Sequence, residues 1–105
     1  MKWLITLLFS FLLSLSIGNT CIAHTTHNIE IIGFKFVPAT VNLVKGDKVI
    51  WVNRDSIPHN IVNNVNDLTL SPTLAKGDEF SYIVDEDLNY ACGFHPSMQG
   101  KLLLK

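Results

Sequence analysis

Residues 45–59 read Lys45-Gly46-Asp47-Lys48-Val49-Ile50-Trp51-Val52-Asn53-Arg54-Asp55-Ser56-Ile57-Pro58-His59. Lys-Gly-Asp is a turn signal, and Arg-Asp-Ser-Ile-Pro is a loop. Between them lies K-V-I-W-V-N, rich in β-branched and aromatic side chains that favour a pleated surface. A short run of this kind between turn residues predicts a strand over residues 48–53. Trp51, at its centre, is expected to pack in the core.

Working outward, the same pattern recurs. Residues 28–36 (N-I-E-I-I-G-F-K-F) alternate at Ile29, Ile31, then Phe34, Phe36, with Gly33 expected as a bulge where the phase changes. Strands are also predicted over 39–44, from His59 to 63, over 79–84, over 88–92 and over 100–105. Residues 63–78 are polar and irregular, and Asp85-Glu86-Asp87 is a charged turn. No segment sustains a period near that of a helix. Short strands at this spacing predict an all-β fold, a Greek-key β-sandwich of about seven to eight strands.

The N-terminus reads differently. Met1-Lys2-Trp3 carries one positive charge, and residues 4–17 are apolar except for Thr6, Ser10, Ser14 and Ser16. That run is short for a membrane span and suits a secretory signal. Cleavage after Ala23 is expected, giving a signal peptide over 1–23 and a single domain over 24–105. Lipidation at Cys21 is the alternative. After cleavage the chain carries net charge −2, with seven Lys or Arg against nine Asp or Glu. No basic patch points to nucleic acid, and no membrane span is expected. His24 and His27 are expected to lie in a frayed terminus.

Cleavage also leaves Cys92 as the one cysteine. It belongs to Cys92-Gly93-Phe94-His95-Pro96-Ser97-Met98. On a strand, side chains three apart face opposite sides. A helix is opposed by Gly93, Pro96 and Gly100. A tight loop remains, and it can turn a thiol, an imidazole and a thioether towards one point. Taken singly, these are a buried thiol, a surface histidine and a core methionine. Together they suit a soft metal. The blue-copper arrangement takes two histidines and a cysteine in a plane with a weak axial methionine. The second histidine would be His59, following Pro58. Such a set leaves no open position for substrate, so no enzyme is expected.

Two blocks carry a resemblance to a known family. Residues 46–60 are similar to G-D-x-V-x-W-x-N-x-D-x-x-P-H-N, and residues 90–101 to Y-x-C-x-x-H-P-x-M-x-G. The chain thus resembles the cupredoxins, most of all those of the amicyanin type; plastocyanin and pseudoazurin have longer spacings between His and Met. The resemblance implies one type 1 copper ion held by His59, Cys92, His95 and Met98. It implies that Asn60 aims its backbone N–H at the Cys92 sulfur and pins the two ligand loops with its side chain. The exposed edge of His95 would be the electron port, inside an apolar patch of Phe94, Pro96, Ile57 and Pro58. The implied function is periplasmic electron transfer by a monomer. Its redox partners, a c-type cytochrome or a periplasmic dehydrogenase, would dock transiently near His95. Copper delivery or storage, or a copper-free interaction module, are the other readings. Gly93 and Phe94 depart from the amicyanin pattern, which has Thr and Pro there.

Overall fold

A computed structural model describes residues 23–105. Among them are eight strands: β1 (Thr26–Ile31), β2 (Phe36–Val37), β3 (Thr40–Leu43), β4 (Lys48–Asn53), β5 (Val62–Asn63), β6 (Glu79–Ile83), β7 (Leu88–Ala91) and β8 (Gln99–Leu104). They form two four-stranded sheets, ordered β2-β1-β4-β6 and β3-β8-β7-β5. Each sheet has one parallel pair, β1 with β4 and β3 with β8. The all-β expectation holds, and no described helix is long and apolar enough to cross a membrane. The expected signal segment lies almost wholly outside the described residues.

The buried face of each strand is the one the alternation marks. Ile29 and Ile31 of β1, Val49 and Trp51 of β4, Leu88 and Tyr90 of β7, and Leu102 of β8 meet in one core. Trp51 stacks on Phe80 with ring centroids 5.9 Å apart and meets Tyr90 edge-on at 5.2 Å. Phe36 meets Tyr90 at 4.7 Å. The Trp51 indole N–H and the Tyr90 hydroxyl are buried without a hydrogen-bond partner. Burial pushes the Tyr90 pKa up to about 12, offset in small part by the nearby Trp51 N–H.

Three local expectations need correction. Gly33 is not a bulge in one long strand. Gly33 and Phe34 both take positive φ, 62° and 60°, and Ile32 and Lys35 exchange backbone hydrogen bonds at 3.0 and 3.2 Å. Paired positive φ values make a type I′ hairpin turn, whose twist matches its flanking strands. His59 begins no continuous strand: it forms an isolated bridge with Leu74, and β5 spans only Val62–Asn63.

The third correction concerns the N-terminus, which is tied down. Asp47 Oδ1 accepts the Thr25 N–H at 2.9 Å, while Oδ2 takes the His27 ring Nε2 at 2.9 Å and the Val44 N–H at 3.1 Å. The His24 ring lies so close to Gly46 that a Cβ there would meet its Nε2 at 2.7 Å. These bonds, led by that from Thr25 and followed by His27 and Val44, lower the Asp47 pKa from 3.8 to about 2. A pKa depressed by folding stabilises the native state above the unfolded value, and that stabilisation disappears as pH falls through the folded one. Asp47→Asn is therefore expected to be less stable than the parent near neutrality. The gap should close as the pH drops from 3.8 towards 2. Urea midpoints of both proteins across that range check it. A gap independent of pH would show that the Asp47 charge contributes nothing.

Candidate metal centre

Two loops build the site at one end of the sandwich. The first leaves β4 at Asn53, which is fully buried. Its side-chain amide donates to the carbonyls of Ile57 at 3.0 Å and Leu74 at 2.8 Å, and its Oδ1 accepts the Asp55 N–H at 2.9 Å. Residues 54–58 are thereby folded around one amide. They deliver His59 to its bridge with Leu74, where its N–H donates at 3.1 Å and its carbonyl accepts at 2.7 Å.

The second loop leaves β7 at Cys92. The Cys92 N–H donates to the Met98 carbonyl at 3.1 Å, the His95 N–H to the Cys92 carbonyl at 3.2 Å, and the Met98 N–H to the His95 carbonyl at 2.9 Å. These bonds close the loop on itself, as the short spacing requires. Asn60 links the loops: its Oδ1 accepts the Gly93 N–H at 2.7 Å and lies 3.8 Å from Cys92 Sγ. The pinning role expected of its side chain is thus present. Its Oδ1 thereby stands beside the sulfur as well as the Gly93 amide. A Cβ on Gly93 would sit 3.0 Å from Val62 Cγ2 and 3.1 Å from Asn60 Oδ1. A side chain there would need Val62 and Asn60 to shift by a few tenths of an ångström.

The structure brings together His59, Cys92 and His95 of the four predicted donors, and the backbone bonds of the second loop hold Met98 beside them in the chain. Cys92 Sγ lies 3.6 Å from His59 Nδ1 and 3.8 Å from His95 Nδ1. One ligand atom from each of the three residues falls within 4.8 Å of the others. His59 and Cys92 are inaccessible to solvent, and Met98 is buried as well. His95 is partly exposed, and Phe94, Pro96, Ile57 and Pro58 are exposed around the same loops. The spacing fits a metal ion. An ion about 2.3 Å from sulfur and about 2.0 Å from each nitrogen, with donors about 120° apart, needs sulfur–nitrogen separations of roughly 3.7 Å.

Tautomer supports the same fit. His59 Nε2 lies 2.9 Å from Asp55 Oδ2. A carboxylate can only accept, so Nε2 carries the hydrogen and Nδ1 offers its lone pair towards Cys92. Asp55 Oδ1 and Oδ2 also accept the Gly33 and Phe34 N–H groups, at 2.7 and 3.0 Å. Partial desolvation is the largest single influence on the Asp55 pKa and raises it. The bonds from Phe34, His59 and Gly33 together outweigh it, leaving the pKa below the usual value.

Asp55 and Phe34 were not among the residues expected at the site. The Phe34 ring meets His59 edge-on at 5.5 Å and His95 at 5.1 Å, and the two imidazoles are 5.2 Å apart. The D-x-x-P-H element of the motif could have pointed to Asp55, four residues before His59. Nothing local pointed to Phe34, which arrives from the β1–β2 turn.

Comparison with known proteins agrees with this geometry. The family of copper binding proteins of the plastocyanin/azurin type matches residues 23–105. The chain is 28% identical to amicyanin of Paracoccus denitrificans in an alignment of 83 residues that covers 73% of this chain and 63% of amicyanin. The fold superimposes on the crystal structure of amicyanin from Paracoccus versutus with TM-score 0.70 and 23% identity, covering 76% of this chain and 81% of the other. It also matches a purple cupredoxin from Nitrosopumilus maritimus with TM-score 0.66 and 30% identity, over 75% of this chain and 99% of the other. A match running through every described strand and both ligand loops leaves one assignment: the chain belongs to the copper-binding plastocyanin/azurin family.

Proposed function

We propose that residues 24–105, released from a signal peptide over 1–23, form a periplasmic type 1 copper protein that carries single electrons between redox partners. The observation that carries this reading is the pair of imidazole Nδ1 atoms beside one buried thiol, at 3.6 and 3.8 Å. His59, Cys92 and His95 would hold the ion in a plane, with Met98 as the weak fourth donor. Bound copper would supply a one-electron Cu(I)/Cu(II) change.

The chain's own groups prepare for that change. Asp55 holds His59 in the required tautomer. Asn60 ties the His59 and Cys92 loops together, so the donors keep their spacing. Two of the three donors are fully buried, which keeps water from competing for the metal. With four donors in place no position is open for a substrate, and turnover chemistry is not part of the proposal. His95, the one partly exposed donor, gives an electron its route to a partner seated on Phe94, Ile57, Pro58 and Pro96. An exposed apolar patch of four residues around the port suits brief docking by a redox protein such as a cytochrome or a dehydrogenase.

The test is the visible and EPR spectrum of residues 24–105 with one equivalent of Cu(II). Intense orange-red absorption with a narrow copper hyperfine splitting is expected. A pale spectrum typical of nitrogen and oxygen donors would move copper delivery ahead. No binding at all would leave an interaction module.

A further inference from the structure

Phe34 occupies a conformation that its side chain disfavours. A bulky residue at φ 60° is a genuine outlier, and such outliers persist where the surroundings enforce them and often mark functional sites. Here the enforcement is visible. Asp55 accepts the N–H groups of both Gly33 and Phe34, and the same Oδ2 that takes Phe34 also takes His59 Nε2. One carboxylate thus orients an imidazole and holds the turn that lays an aromatic ring across it.

The ring does little for the fold. Phe34 is absent from the packed core and is 47% exposed. Its partners are the two imidazoles, both met edge-on at interplanar angles of 87° and 89°. Its other side faces solvent. Ordinary turn packing does not account for an aromatic residue in this position, because asparagine or glycine fills it without strain.

We infer that Phe34 is a positioning residue for the metal centre: its ring closes the solvent side of the His59–His95 pair and limits the room in which His95 can move. The inference rests on the copper reading above. An apolar cover lowers the local dielectric and excludes water, and both tune a metal's potential. Removing water that would solvate the more highly charged ion disfavours Cu(II), so the cover raises the reduction potential.

Phe34→Gly tests this, because glycine adopts the same φ freely. Three quantities are compared with the parent: the melting temperature of the metal-free protein, the reduction potential, and the water-proton relaxation rate per bound Cu(II). The inference expects the first to hold or rise, the potential to fall, and the relaxation rate to rise severalfold as water gains access. Phe34→Tyr should keep parent values for the last two. Unchanged potential and relaxation in Phe34→Gly would overturn the inference. So would a sharp fall in metal-free stability with loss of the copper spectrum, since that would assign Phe34 to the fold. A parent protein with no thiolate–copper spectrum would instead sink the copper reading itself.

Discussion

Cys92→Ser is expected to abolish the intense visible absorption of the copper-loaded protein and to weaken Cu(II) binding by more than about 100-fold. That factor is the upper range for losing only an outer partner of a metal ligand. The Cys92 sulfur lies within reach of both imidazole Nδ1 atoms and is fully buried. Serine keeps nearly the same shape but offers a hard hydroxyl that stays protonated at neutral pH, and soft thiolate is what selects copper here. The His59–Asp55 bond does not involve the sulfur, so the imidazoles stay oriented and residual binding should be pale and nitrogen-dominated. The metal-free variant is expected to fold. Its buried hydroxyl costs about 1–3 kcal/mol where it lacks a partner, and His59 Nδ1 stands ready to accept from it. Absorption titrations and metal-free melting curves on the same samples separate the two effects. A variant that kept the parent's colour would remove Cys92 from the site.

The strands and the donor set could be read from the sequence because both depend on local signals. Alternation in residues 48–53 follows the pleat directly, and it places Val49 and Trp51 inside, as found. The Cys92–Met98 loop is short enough that its side chains can turn towards one point, and Cys92 and His95 do meet there. What escaped was set by contacts between distant segments. The type I′ turn at Gly33-Phe34 lacks the asparagine that usually announces it, and it is held by Asp55 from 21 and 22 residues away. The His24–His27 terminus reads as free because its anchor, Asp47, is 20 residues away in sequence and only the pairing of β1 with β4 brings it near. His59 reads as opening a strand because the β-branched Ile61 and Val62 follow it. Its backbone instead pairs with Leu74 alone, and the Asn53 side chain shapes the approach. In each case a polar side chain distant in sequence fixes the local backbone, and periodicity does not register such contacts.

Gly100→Ala is expected to destabilise the domain by about 3 kcal/mol, the upper end for overpacking. Gly100 of β8 sits directly opposite Tyr90 of β7. A Cβ at this position would run into the Tyr90 ring at its Cζ, its Cε1 and its hydroxyl oxygen. Such an overlap is cheap only if the ring can swing away, and this one cannot. Phe36 and Trp51 press on it at 4.7 and 5.2 Å, and the ring is completely buried. In a domain of this size each kcal/mol shifts the melting temperature by roughly 4–8 °C. A fall of more than about 10 °C is therefore expected. Two further variants isolate the cause. Tyr90→Phe removes a hydroxyl with no hydrogen-bond partner and is expected to be neutral or stabilising by itself. It relieves Gly100→Ala only in part, because the ring carbons remain. Tyr90→Leu clears the ring, so adding Gly100→Ala to it should cost under about 1 kcal/mol, a large coupling in a double-mutant cycle. A full cost in the Tyr90→Leu background would mean that the glycine serves the backbone of β8 and not the ring. The distinction bears on the metal centre, because Tyr90 of β7 stands two residues before Cys92, where the ligand loop leaves that strand. A ring pushed out of place would carry the sulfur with it, and Gly100→Ala should then alter the copper spectrum as well as the melting temperature.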